Sequence, residues 1–579
     1  MKKTGAWLVR DALEKLKIKF TFGIPGVHNT ELYDELNKST SIKPILVTHE
    51  GCGAFMAEIQ GRLADAESGH MSAMAIVPAA GAAYASTGIG EAFLDGIPML
   101  VIAAGTRTDT GHSYQLHQMD QVAMMKPITK FATTVETLDQ IQPTLYKAWQ
   151  KALEGEPGPV FVEIPVNLLL FAREIKALPS VPGLPKTPVI DLSAVERAAT
   201  LLQKAKKPGL FIGWGAKGAA KQVQQLAEQL GMPVATSLQG AGCFPANHPL
   251  HAGFAIGQHA VPASENAFAD CDCLLAVGVR FGEIATGSFG MQVPDNLIHI
   301  DINKEVFSAN YPAKIALHGD SAEVLDQLQA KITVKPTDSS KLAKQIANDK
   351  KAYLNEWLAH KNTKNRVNPA RFFQQLRSTI DDDALVVADD GNHTFLTAEL
   401  MPIHCVGGFI SPTDFNCMGY CVPAAIGAKL AQPKRTVVGI VGDGCLMMTG
   451  LELVTAVKHQ LGVMLFIFND GELSQISQAQ HLPYNRKTCT TLPEVNMQGL
   501  AIMAGAEYIS IENDGQLAEA MAKAKRLSES DKPVLIDVKI DYSKQTRFTK
   551  GILKTNLKRI ELGDKARMIS RAVVRKVTG

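Results

Sequence analysis

Residues 437–480 read VVGIVGDGCLMMTGLELVTAVKHQLGVMLFIFNDGELSQISQAQ. Two apolar runs, Thr436–Val441 and Val463–Phe468, each stop at a small polar cluster. The first cluster is Gly442-Asp443-Gly444 and the second is Asn469-Asp470-Gly471. Between them, Leu451–Gln460 has helical spacing. Strand, crossover helix and parallel strand make a βαβ unit, which brings both strand ends to one edge of a sheet. Asp443 and Asp470 are thereby expected at the carboxyl edge, where α/β sheets bind ligands. Glycines let backbone N–H groups close on a phosphate, and a helix start adds positive potential. Two carboxylates among such amides make chemical sense when a hard cation bridges them. Mg commonly takes one or two carboxylates plus phosphate oxygens. Either cluster alone could be no more than a polar turn.

The rest of the chain repeats this strand-and-helix alternation. Its 579 residues correspond to roughly three or four domains at ~150 residues each. Block one has expected strands Lys19–Gly23, Lys43–Thr48, Ser72–Val77, Met99–Ala104 and Val160–Ile164. Pro179, Pro182, Pro185 and Pro188 then mark a semi-rigid linker. Block two carries Gly209–Ile212, Pro233–Thr236, Cys273–Val277 and Leu297–Ile302. A Lys-rich helical stretch near 335–364 leads to block three, with Ala384–Ala388 and Pro533–Val538 added to the two runs above. The expected fold class is α/β, with three doubly wound parallel sheets.

Charge and composition exclude several classes. There are 59 Lys+Arg against 57 Asp+Glu, a net charge of +2, so no strong field draws nucleic acid or membrane. No apolar stretch reaches the ~18 residues of a spanning helix, and Arg10 and Asp11 break any signal-peptide core. Nine cysteines without framework spacing point to a reducing, cytoplasmic setting. The last thirty residues hold nine Lys/Arg and two Asp/Glu, which reads as a solvated helix face.

Gly-Asp-Gly, 24 residues and then Asn469-Asp470 resembles the cofactor signature of thiamine diphosphate (ThDP) enzymes, the acetohydroxyacid synthases and related 2-oxo acid decarboxylases. The family usually has two Asn at the second cluster; catabolic acetolactate synthases have Asp at its second position. The resemblance implies Asp443, Asp470 and the backbone carbonyl of Glu472 as Mg ligands, with Asn469 the fallback if the register slips by one. It implies cofactor contacts from Gly442, Gly444, Cys445 and Leu473. ADDGNHTF is similar to the family's diphosphate loop, which adds Asn392 and His393. SPTDFNCMGYCVPAAIGAKL resembles the segment that supplies Asn416 backbone contacts and Met418, the apolar wedge that bends the cofactor. Taken singly, Met418 would be core filler and Asn392 a turn residue.

In block one, ILVTHEGCGAFMAEIQGRLAD places Glu50 at a strand-to-helix turn. A helix-start charge is the simple reading. By resemblance, Glu50 is the activating glutamate, an acid that hydrogen-bonds the pyrimidine ring. The family pairs this acid with the diphosphate site of a second subunit, so the resemblance implies a homodimer or homotetramer. His28 in GVHN matches a His of benzaldehyde-lyase-like members. His117 and Gln118 correspond to a Gln-Glu pair of the synthases. Each imidazole could relay protons near pH 7 or be structural.

The implied function is a ThDP- and Mg-dependent, acetolactate synthase-like carboligase. It would decarboxylate a 2-oxo acid, pyruvate or a relative, and join what remains to a second carbonyl. A plain 2-oxo acid decarboxylase, a 2-hydroxyacyl-CoA lyase and a non-catalytic ThDP-binding homologue are the alternatives. Two departures point to altered acceptor choice. RFGEI keeps Arg280 but has Ile284 where the synthases have Arg, and Ala479 stands where they have Trp. Gly213 to Gly218 matches GxGxxG, yet no acidic residue follows about 20 residues on, which disfavours a nicotinamide enzyme. The middle block resembles FAD-binding members, with FAD, ADP or no ligand left open. The expected domains are 1–175 (pyrimidine-binding), 190–335 (central), 365–548 (diphosphate-binding) and a basic tail, 549–579. The expected partners are small carbonyl compounds and further copies of the chain, with no nucleic acid and no membrane.

Overall fold

The computed structural model describes residues 2–64, 71–175, 177–362 and 364–578. Three six-stranded sheets organise them, and every strand pair within each is parallel. The N-terminal sheet runs, in spatial order, Lys43–Leu46, Phe20–Gly23, Ala73–Ile76, Met99–Gly105, Pro159–Pro165, Phe131–Thr134. The C-terminal sheet runs Phe409–Ile410, Leu385–Ala388, Val437–Gly442, Val463–Phe468, Val534–Val538, Glu507–Ile511. Counted along the chain, both have the order 2-1-3-4-6-5. The middle sheet differs, with the order 3-2-1-4-5-6.

Helices cover both faces of these sheets, so central strands are apolar along their whole length. Val463–Phe468 is buried at every position. Within the six-stranded sheets, the strands missed by the sequence reading are Phe131–Thr134, His251–Phe254, Ile315–His318, Phe409–Ile410 and Glu507–Ile511, and all five lie on sheet edges. An edge strand packs on one neighbour only, so its sequence need not be an unbroken apolar run.

The residues form two compact units. One holds Met1–Thr187 with Asp414–Lys434 and Thr449–Leu461. Its core is built from Leu100, Ile102, Val160, Val162 and Trp149 beneath the helices Gly5–Lys15 and Ile141–Leu153. The other unit holds Pro188–Thr413, Arg435–Met448 and Gly462–Gly579, with the middle and C-terminal sheets. Two helical stretches of the C-terminal block therefore pack with the N-terminal sheet.

Gly213 and Gly215 have a packing explanation. A Cβ at Gly213 would lie 2.1 Å from the carbonyl oxygen of Gly278, and one at Gly215 2.7 Å from the Gly278 Cα. Two strand-end loops cross there backbone to backbone, a contact only glycine allows.

The basic tail is more than a solvated face. It forms the helices Arg547–Arg559 and Leu562–Thr578. Phe548 is fully buried, stacked 4.6 Å from Phe395 and tilted against Phe254 at 4.9 Å. In the second helix, Arg575 donates to the carbonyl of Tyr484 at 2.9 Å and Arg571 to that of Pro483 at 3.3 Å. These cations meet the carbonyl end of the helix Ser474–Tyr484, the favourable end for positive charge.

His251, His259 and His299 are buried around the middle sheet, and burial pulls each imidazole down, to about 4 for His259 and His299. The unfolded chain takes up these protons near pH 6.5, whereas the folded chain refuses them. Stability is therefore intact above pH 6.5 and falls as pH drops toward 4, by up to about 1.4 kcal/mol per pH unit for each histidine. Thermal melts at pH 7.5 and 5.0 check this, with a Tm several degrees lower at pH 5.0 as the expected result.

Candidate active site

In the C-terminal sheet the strand order reverses between Leu385–Ala388 and Val437–Gly442. Such a switch point opens a crevice at the carboxyl edge. The loop after the first strand, Asp389-Asp390-Gly391, leads into the helix Asn392–Leu400. The His393 ring lies between two glycines. A Cβ at Gly391 or Gly442 would come within 2.7 or 2.8 Å of its Cε1. Its Nε2 is buried without a protein partner. Burial drives the imidazole down to about 3, so it is neutral at working pH. A buried polar nitrogen without a protein partner, beside two glycines, fits a polar group of a bound molecule.

Asp443 starts a helix directly at the end of Val437–Gly442, earlier than the expected Leu451. Its Oδ1 accepts the Gly444 N–H at 2.8 Å, and its Oδ2 accepts those of Gly471 at 2.8 Å and Asp470 at 3.2 Å. One carboxylate thus ties the two strand-end turns together. Burial raises the Asp443 carboxyl, against these three amides. Asp470 is pushed up to about 6, chiefly by burial, with the charges of Asp443 and Glu472 adding to it. Its carboxylate accepts the Ser474 hydroxyl. Asn469 turns elsewhere: its amide donates to Asp537 at 3.0 Å. The Glu472 side chain bonds Lys487 and Ser477, so only its backbone carbonyl could serve a metal. Cys445 donates its thiol to the Asp390 carbonyl at 3.2 Å, and the Leu473 N–H donates to the Thr490 carbonyl at 2.8 Å.

Two adjacent acids that resist ionisation are the environment a cation relieves. Among the described residues no group of three or more His, Cys, Asp or Glu converges on a metal position. A cation here would complete its shell from backbone and phosphate oxygens, which suits Mg.

The N-terminal unit carries the buried acid Glu50. Glu50 opens the helix Glu50–Leu63, and His49 caps it by accepting the Gly51 N–H at 3.0 Å on Nδ1. Glu50 is buried, and a Cβ at Gly81 would lie 3.3 Å from its Oε1. Tyr33 lies near enough for the Glu50 charge to add to the upward shift that burial gives its hydroxyl. Asn416 and Met418, remote in sequence, belong to this same unit and are half-buried. Asn416 has φ +63°, the left-handed conformation Asn tolerates.

Buried acids hold this loop. The Cys417 N–H donates to Glu91 at 3.1 Å, the Asp414 N–H to Asp95 at 3.2 Å and the Tyr420 hydroxyl to Glu58 at 2.5 Å. Arg62 is paired with both Glu58 and Asp95. Burial, then the Asp95 charge, raises Glu91 well above the carboxylate range. None of these was singled out from the sequence. The available signal was charge inside helices otherwise made of small and apolar residues, GCGAFMAEIQGRL and GIGEAFLD.

His28 and His117 meet with ring centroids 5.1 Å apart, and the Nδ1 of each is buried without a protein partner. Burial and then His117 lower the His28 imidazole. Gln118 is exposed, and its side-chain oxygen accepts the Gln115 N–H at 2.9 Å.

The chain is similar along its length to acetolactate synthase large subunits. Isozyme 1 of Escherichia coli (strain K12) is 29% identical over 545 residues, 93% of this chain and 94% of that one. The probable large subunit of Methanocaldococcus jannaschii is 29% identical over 555 residues, 93% and 92% of the two chains. The thiamine pyrophosphate enzyme family matches in three pieces: its N-terminal TPP binding domain over 3–124, central domain over 195–328 and C-terminal TPP binding domain over 389–538. The chain belongs to the ThDP-dependent, acetolactate synthase-like family. Like that family, it is a ThDP-dependent enzyme with three α/β sheets.

Within the family frame, two positions stand out. Ile284 packs against the Phe-rich core of the C-terminal sheet and offers no charge to a carboxylate. Ala479 is exposed on the helix Ser474–Tyr484. Its neighbours are committed: Gln478 donates to the Tyr542 carbonyl at 3.1 Å and Gln480 to that of Thr488 at 3.1 Å. Among the described residues no helix is long and apolar enough to cross a membrane.

Proposed function

We propose that this enzyme is a Mg-dependent carboligase. It decarboxylates a 2-oxo acid, pyruvate or a relative, and joins the remaining fragment to a second carbonyl. The observation that carries the reading is the complementary pair of sheet edges. One presents the buried acid Glu50, and the other presents Asp443 and Asp470 tied by shared amides. The acetolactate synthase relatives support the reaction class.

Bound ThDP would supply the carbanion chemistry that side chains lack. The protein's part is placement and proton control. Glu50 would hold a proton against the pyrimidine ring, while Asn416 and Met418 support that ring from the side. Asn392 and His393 would contact the diphosphate, with Gly442, Gly444, Cys445 and Leu473 shaping its cradle. Asp443, Asp470 and the Glu472 carbonyl would hold Mg. His28 and His117 would move protons at the substrate, with Gln118 at the rim. His28, lowered by burial, is neutral at pH 7 and able to accept one. In this reading the two halves of one site come from different copies, giving a homodimer or homotetramer. The domains follow at 1–175, 190–335 and 365–548.

Product analysis with pyruvate, with and without an added aldehyde, tests the reaction. Acyloin or acetohydroxy acid is expected in both. Acetaldehyde as sole product would reject carboligation in favour of a simple decarboxylase. Ile284 and Ala479 lead to the further expectation that an aldehyde competes well with a second oxo acid.

A further inference from the structure

We infer that Glu452 is a positioning residue that fixes the corner carrying Glu50. The inference rests on the role proposed above for Glu50. Strand Lys43–Leu46 passes into helix Glu50–Leu63 through Val47-Thr48-His49. The Thr48 N–H donates to both Glu452 oxygens, at 3.0 and 3.3 Å, and the Thr48 hydroxyl donates to Oε2. The Cys52 thiol lies close enough for the Glu452 charge to add to the upward shift that burial gives it. Thr48 stands two residues before Glu50, so this carboxylate grips the backbone that leads into the acid, with Cys52 of the following helix turn close by. Thr455 donates its hydroxyl to the remaining face of Glu452.

Glu452 is fully buried, and these partners are an amide and two hydroxyls, with no cation among them. Burying a carboxylate is costly, and an apolar residue would serve packing better. What the carboxylate adds is direction: its donors must stand at set angles, which fixes the corner rather than merely filling space. An acid that must meet one ring nitrogen needs such support, because a site loosened by an ångström loses most of its advantage.

The test is a double-mutant cycle on the full chain with ThDP and Mg²⁺ added, plus amide hydrogen exchange without either. Glu452→Gln is expected to lower kcat about 10- to 100-fold with KM for pyruvate little changed. In the Glu50→Gln background the same change should cost less than about threefold, because its effect passes through Glu50. In the cofactor-free protein, Glu452→Gln should speed exchange in the 47–53 segment by about tenfold. Thr48→Val, which keeps the amide and removes the hydroxyl, should give a smaller loss with the same non-additivity; it stands in if Glu452→Gln does not fold. Equal losses in both backgrounds, or unchanged exchange at 47–53, overturn the inference. Full turnover by Glu50→Gln alone would instead remove the parent reading, and this one with it.

Discussion

Glu50→Gln lowers turnover by about two to four orders of magnitude while ThDP is still bound. The amide matches the carboxyl in size, so the corner capped by His49 and the contact with Gly81 should survive. What is lost is the exchangeable acidic proton. The buried position of Glu50 makes this loss severe, since few waters can substitute for it. Binding of ThDP, read by quenching of protein fluorescence or by calorimetry, should change less than about tenfold. On the proposed reading, the cofactor's affinity would come mainly from its diphosphate and the cation held by Asp443 and Asp470. Wild-type turnover by Glu50→Gln would disprove the assigned role.

Asp443→Asn should abolish cofactor retention at ordinary Mg²⁺, raising the Mg²⁺ needed for half-maximal activity by about 100-fold or more. Asp443 does two jobs. In the proposed site it would carry charge for the cation, and it accepts three amides that lock the turns after two adjacent strands. The Asn variant loses the charge and presents an NH₂ where one of those N–H groups points. Asp470→Asn should be far milder, under about tenfold. Its carboxylate has one side-chain donor, Ser474, and the family commonly carries Asn there. Titrating activity against Mg²⁺ for both variants checks the asymmetry. Equal losses would mean that Asp443 does not organise the paired turns.

The contrast between Asp443 and Glu452 shows what a linear reading can reach. Asp443 and Asp470 were legible because one βαβ unit contains both, and strand ends of such a unit must share an edge. Glu452 stands only nine positions from Asp443, yet its partner Thr48 is 404 residues away. Nothing local in TGLELV marks that acid as buried. The same holds for Glu58, Glu91 and Asp95, whose bonds reach the loop 414–420. His28 and His117 were each singled out, but their meeting at 5.1 Å depends on a loop whose own residues are mostly exposed.

By itself, the sequence determined the fold class, the central strands and the two acidic clusters at adjacent strand ends. Strands buried on both faces must be apolar throughout, and glycines with acids at strand ends are local requirements of close backbone approach to a charged ligand. Only the tertiary structure decided the edge strands, the matching 2-1-3-4-6-5 order of the outer sheets and the carboxylates that brace Glu50 and the 414–420 loop. The bracing carboxylates are satisfied by partners hundreds of residues away. Hydrogen bonds of that span leave no periodicity in the chain; they exist only once the chain has closed on itself.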